Sequence, residues 1–198
     1  MRLRPIDFNS RVLAAIDIGS NSIHLLIAKI DESGNLQVID SDKVPVRLGE
    51  FLTASGQLSS EGEHRALVTV SRMAKLASAY GAEIRAVATH SFREANNHQQ
   101  VMDKIFRECG VSVELIDGNE EARLVFLGMR YALPIENLTA LGLDIGGGST
   151  EVIIAQGERV KFATSLKLGA VTLTKNIFSG ATPTLASIGK LHEYINLR

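Results

Sequence analysis

Residues 16–28 read IDIGSNSIHLLIA, and residues 143–155 read LDIGGGSTEVIIA. In the two stretches Asp17 aligns with Asp144, Gly19 with Gly146, Ser22 with Ser149, and Ile27-Ala28 with Ile154-Ala155. Each is an apolar run ending in an acid, a Gly/Ser turn, and a second apolar run rich in β-formers. That pattern predicts a strand, a tight turn and a returning strand. Such a turn leaves several backbone N–H groups pointing together, which suits an anion such as phosphate. A carboxylate at its lip would repel that anion unless a cation or a reacting water stands between. One Gly-rich turn is ordinary; an aspartate before the turn at matching offsets in two copies is not. Two copies predict two lobes facing each other across a phosphate-sized cleft.

Outward from the repeat, strands are expected at 12–18, 22–30, 35–41 and 44–48, with turns at Gly19-Ser20-Asn21 and Ser33-Gly34. A helix starts at Ser60, where Ser60 and Glu63 match a capping box. Its stripe is Ala66, Leu67, Val70, Met73, Ala74 and Ala77, and Gly81 ends it. A strand over 83–89 leads to helical character at 92–95 and 98–109, then a strand over 111–116. Asp117 opens a helix running to about Leu133. Strands at 139–145, 150–155 and 159–166 follow, then helices near 170–178 and 184–196. This is a mixed-sheet α/β layout. It divides into a first lobe with the inter-lobe helix (1–133) and the start of a second (134–198). A complete second lobe would need roughly another hundred residues, so the chain reads as one complete lobe plus the opening of a truncated one.

Composition narrows the classes. Hydrophobic residues make up 45% and charged residues 22% of 198, the profile of a globular chain. A formal net charge of −1 gives no footprint for nucleic-acid binding, so an anion must be held by local geometry. No run reaches the ~20 apolar residues of a membrane span, and the basic N-terminus MRLRPIDFNSR lacks the apolar stretch of a signal peptide. Cys109 stands alone, so no internal disulfide forms and a reduced, partly packed thiol is expected. The cytoplasm is the default location.

Three constellations carry possible chemistry. In the two hairpins, Gly146-Gly147-Gly148 admits close backbone approach, and Ser22 and Ser149 add hydroxyls. In Asp117-Gly118-Asn119-Glu120-Glu121-Ala122-Arg123, Asp117 as N-cap puts Glu120 at N3 to complete a capping box. Glu121 points about 100° away from Glu120, free to take a proton from water; Arg123 either orients it or lies on the surface. In Thr89-His90-Ser91-Phe92-Arg93, at a strand's C-terminal end where ligands gather, Arg93 can bind phosphate bidentately and Thr89 can donate a hydroxyl. His24 fits a local hydrogen bond better than a metal, and His64, His98 and His192 lack zinc-site spacing. There is no P-loop and no Rossmann spacing.

The segments IDIGSNSIHLLIA, VATHSFREANN, IDGNEEARLVFLG and LGLDIGGGSTEVII, in that order, resemble the exopolyphosphatase/guanosine pentaphosphate phosphatase family. VRLGEFLTASGQLS is similar to its next segment, with Phe51 where a glycine is common. The resemblance implies an actin/sugar-kinase/Hsp70-like (ribonuclease H-like) fold with the active site between lobes. It implies Glu121 as general base, with Asp144 and Glu151 also catalytic. It also implies phosphate held by Gly19, Gly146, Gly147, Gly148 and Arg93, with Mg2+ near Asp144; the reading of the turns and the strand end adds Ser20, Asn21, Ser22, Ser149 and Thr89 to the phosphate site and Asp17 to the metal site. The expected reaction is release of terminal orthophosphate from inorganic polyphosphate. The alternatives are hydrolysis of guanosine pentaphosphate by the same site, or a truncated, non-catalytic module that binds phosphate chains. The family resemblance further implies a homodimer.

Overall fold

The computed structural model describes residues 12–31, 35–179 and 182–197. The turn expected at Ser33-Gly34 and the basic N-terminal stretch lie outside them. Alternating β-branched and leucine residues build β1 (Val12–Ile18) and β2 (Ser22–Ile30), paired antiparallel with Asp17 opposite His24. β3 (Leu36–Pro45) pairs with β2 along its whole length. It was expected as two strands, but Asp42 and Lys43 stay in register with Leu25 and His24, so no break occurs. Beyond it the chain turns, because the amides of Val46 and Arg47 both donate to Asn21 O and Leu48–Phe51 forms a 3-10 turn.

α1 (Ser60–Ala79) begins where expected, but its cap is Ser59, whose extended backbone lets Oγ accept from Gly62 N. Glu63 is consequently free of the cap and accepts from Asn97 at 3.2 Å. Gly81, at φ 63°, supplies the left-handed residue that ends the helix region. β4 (Glu83–Ala88) lies parallel to β1, and α2 (His90–Glu94) and α3 (His98–Cys109) lead to β5 (Val113–Leu115), parallel to β4. β5 is shorter than expected because only three of its residues find partners on β4. The sheet order is β3-β2-β1-β4-β5. Its core joins Ile16, Ile18, Ile23, Leu25 and Ile27 to Ala66, Val70, Met73 and Ala77 of α1 and Val101 and Ile105 of α3. Full burial of each such large aliphatic contributes about 1.5–3 kcal/mol.

α4 (Gly118–Ala132) precedes a three-stranded meander, β6 (Thr139–Ile145), β7 (Thr150–Gln156) and β8 (Arg159–Leu166). α5 (Ala170–Leu173) runs into a π-turn at Thr174–Phe178, and α6 (Leu185–Asn196) follows. Ala122 and Phe126 of α4 bury against Ile153 and Ala155 of β7. Packing therefore puts α4 against the second sheet. Among the described residues no helix is long and apolar enough to cross a membrane.

Candidate active site

Both Gly/Ser turns close alike: Gly19 N donates to Ser22 O at 3.1 Å, and Gly146 N to Ser149 O at 2.9 Å. Their carbonyls are engaged from outside. Ser20 O accepts from Gly49 N, and Asn21 O from Val46 N and Arg47 N, at 2.8–3.0 Å. The carbonyls of Gly146, Gly147 and Gly148 accept from Ala170, Val171 and Gly169 at 2.8–3.2 Å. In a trans peptide the next N–H points opposite to the C=O. The amides of Asn21, Ser22, Gly147, Gly148 and Ser149 thus point away from these partners, free of them.

Glycine is required where the turns meet. A Cβ on Gly147 would stand 2.8 Å from Asn21 Cβ, and one on Gly148 would collide with the His90 ring and Ser20 Oγ. Ser20 is itself held by Ser91 Oγ at 2.7 Å. A cavity of about 810 Å3 is lined by both turns together with Asp17, Thr89, Glu121, Asp144 and Glu151. Of the residues expected to serve catalysis, phosphate or metal, Arg93 alone is not on its wall.

The carboxylates crowd one another. Asp17 opens onto the cavity, yet the walls strip it of bulk water. This desolvation, with the negative charges of Asp144 and Glu151, raises its pKa to about 6. Glu151 is 2% exposed and accepts a 2.7 Å hydrogen bond from Ser165 Oγ. Glu121 stands in the first turn of α4, capped by Asp117, whose side chain accepts from Glu120 N at 2.8 Å. Burial, then the charge of Glu151, push Glu121 above the usual carboxylate range, against the pull of Arg93. The pair Arg93 Nη1–Glu121 Oε2 is 2.8 Å apart, while Nη1 directs a 3.0 Å hydrogen bond to Ile116 O. Oε2 is buried and receives no directed hydrogen bond.

Glu120 does not reach back to complete a capping box; its two oxygens each accept from Arg123 at 2.7 Å on the surface. Arg123 is therefore a surface residue and does not orient Glu121. His24 shares a 2.8 Å hydrogen bond with Ser22 Oγ, and burial and Lys43 opposite it lower its pKa. Cys109 is half-buried and free.

Among the described residues no group of three or more His, Cys, Asp or Glu side chains forms a ready-made metal cage. Mg2+ needs none: it is commonly held by one or two carboxylates with waters and substrate phosphates. Asp17 and Asp144, crowded on one cavity, fit that kind of site.

The cavity also has walls that the sequence reading passed over: His90, Lys43, Arg47 and Lys175. Lys43 was recoverable, since alternation along β3 sets it opposite His24. Ser165 carried no signal, because its meeting with Glu151 depends on the β7–β8 register.

The sequence profile described as the Ppx/GppA phosphatase family matches residues 26–197. Exopolyphosphatase 1 of Mycobacterium tuberculosis is 34% identical over 185 residues, covering 93% of this chain and 54% of that protein. Guanosine-5'-triphosphate,3'-diphosphate pyrophosphatase of Vibrio vulnificus is 38% identical over 172 residues, covering 86% of this chain and 34% of that protein. The chain thus spans about half the length, or less, of these relatives. An exopolyphosphatase structure from Cytophaga hutchinsonii superposes with a TM-score of 0.79 at 32% identity, covering 83% of this chain and 53% of that one. A structure of an exopolyphosphatase-like protein gives 0.87 at 31% identity, with 94% and 59% covered. The fold is the actin-like α/β one, with a mixed sheet in the first unit.

Proposed function

The chain belongs to the Ppx/GppA phosphatase family, and on that premise we propose that it releases the terminal phosphoryl group of inorganic polyphosphate as orthophosphate. The observation that carries the proposal is Glu121: a carboxylate on the wall of the cavity between two amide-rich turns, with one oxygen buried and short of a directed hydrogen bond. Amides of Asn21 and Ser22, and of Gly147, Gly148 and Ser149, hold the terminal phosphoryl oxygens, Gly19, Ser20 and Gly146 shape the two turns, and the Thr89 hydroxyl adds a donor. Glu121 accepts a proton from water as its oxygen bonds to the terminal phosphorus. The bridging P–O bond breaks in line, and the shortened chain leaves with the electron pair. Mg2+, when bound by Asp144 and Asp17, supplies positive charge to the phosphoryl oxygens. Glu151, held by Ser165, keeps the acidic wall in place. The proposal includes a cytoplasmic location and a homodimeric assembly.

Glu121→Gln tests it. Removing a general base costs roughly 10²–10⁴-fold in rate, so phosphate release should fall by that factor while the folded CD spectrum persists. Near-normal turnover in this variant would refute the base assignment. The Vibrio vulnificus relative supports a second substrate, guanosine pentaphosphate, at the same site. Parallel assays of phosphate release from long-chain polyphosphate and from the nucleotide decide between them.

A further inference from the structure

Arg93 is the one residue expected to touch phosphate that does not line the cavity. It stands at the end of α2, and its guanidinium is anchored to the end of the first sheet. Nη1 donates to Ile116 O at 3.0 Å, and Ile116 N in turn donates to Ala88 O at 3.2 Å. From that anchor the same nitrogen lies 2.8 Å from Glu121 Oε2. The side chains of this pair are 20% and 16% exposed, the least exposed of the ion pairs among the described residues. Elsewhere, as in Arg123 with Glu120 at 52% and 40%, ion pairs sit in solvent and count for little. Arg123, the other arginine near Glu121 in sequence, is committed to Glu120.

α2 belongs to the first unit and α4 packs on the second sheet, so the pair also crosses between units. It is not alone. On the same short helix Glu94 accepts from Lys167 at 2.6 Å, and His90 packs where Gly148 has no side chain. The groups facing Glu121 are Arg93 from α2, Asp17 from β1 and Glu151 from β7. Two of these are anions, and Arg93 is the cation that offsets them.

We propose that Arg93 is a positioning residue, its guanidinium fixed on the Ile116 carbonyl and holding the Glu121 carboxylate at the cavity wall. It acts on the base and not on the substrate. The role rests on the reading of Glu121 as base, and the experiment separates the two.

In the full chain, Arg93→Gln and Arg93→Lys are compared with wild type in three measurements: calorimetric binding of orthophosphate, kcat and KM for polyphosphate from pH 5 to 9, and the 13C carboxyl resonance of Glu121 against pH, assigned with Glu121→Gln. Arg93→Gln is expected to bind orthophosphate as wild type does and to keep KM. Its kcat should fall roughly tenfold or more, with the acidic limb moved to higher pH and partial rescue by added guanidinium. The Glu121 resonance should titrate at higher pH, because the neighbouring cation is gone. Arg93→Lys, which keeps charge but loses the planar fork, should restore the titration more than kcat; it is also read if Arg93→Gln fails to fold. Loss of orthophosphate binding with a raised KM, or an unmoved Glu121 titration, overturns the proposal. Should Glu121→Gln keep normal turnover, the base reading fails on its own, and the binding and resonance measurements still judge whether Arg93 holds this carboxylate.

Discussion

Asp17 shows at single-residue scale what desolvation and neighbouring acids do to a carboxylate on the cavity wall. Its pKa of about 6 in the folded chain, against 3.8 for the free group, means the native state binds the extra proton. Native binding of more protons makes stability fall as pH rises. The stabilising contribution is full below pH 3.8 and is lost on passing through about 6. In chelator, the unfolding free energy from urea melts should therefore drop between pH 4.5 and 7.5 by on the order of 1 kcal/mol, a figure reduced for the water that reaches Asp17 through the cavity, and the urea midpoint should fall with it. Asp17→Asn should flatten that slope, and Mg2+ should restore midpoints at pH 7.5 more than at pH 4.5. Equal slopes in both proteins would show that the cavity does not strain this carboxylate.

At the scale of elements, α4 matters most because its first turn carries Glu121 while its apolar face rests on β7. Asp117 caps that turn, and Ser59 does the same for α1. Replacing either by alanine costs about 1 kcal/mol by the usual range for N-caps. Asp117→Ala should lower phosphate release well beyond Ser59→Ala at matched loss of stability, since only the first frays the turn bearing Glu121, the proposed base. Equal rates in the two would break the link between that cap and turnover. Most of this element was legible: Asp117 as cap, the helix end near Leu133, and Glu121 turned away from Glu120 follow from spacing along one helix. Which arginine Glu121 meets was not, because Arg93 lies 28 positions back in sequence and α2 is too short for a periodic pattern to orient it. The same holds for the sheet that α4 rests on. An apolar helix face announces that it is buried, but not against which of two similar hairpins.

Across the whole molecule the two units are unequally covered. The first sheet is packed by α1 and α3, but on β6 the side chains of Leu141, Leu143 and Ile145 are 66%, 55% and 71% exposed. β6 is also an edge strand among the described residues, with no lysine or proline to discourage pairing. An open edge beside an apolar face favours self-association. Light scattering should show mass rising with protein concentration, and Leu143→Lys should suppress that rise while leaving the melting temperature nearly unchanged. A concentration-independent mass for the unmodified chain would count against it.

The β-bulges add something the paired motifs could not. β2 shifts register against β3 between Ile27 and Ala28, and β7 shifts against β8 between Ile154 and Ala155, the equivalent place in the second hairpin. A backbone irregularity at the same step in both copies bends and twists the two hairpins at the same distance from their turns. Between the two matched hairpins the clearest difference is His24 against Glu151, each directly across from the aspartate that precedes its turn. The first hairpin sets a ring whose pKa burial lowers across from its aspartate, and the second sets a buried acid there.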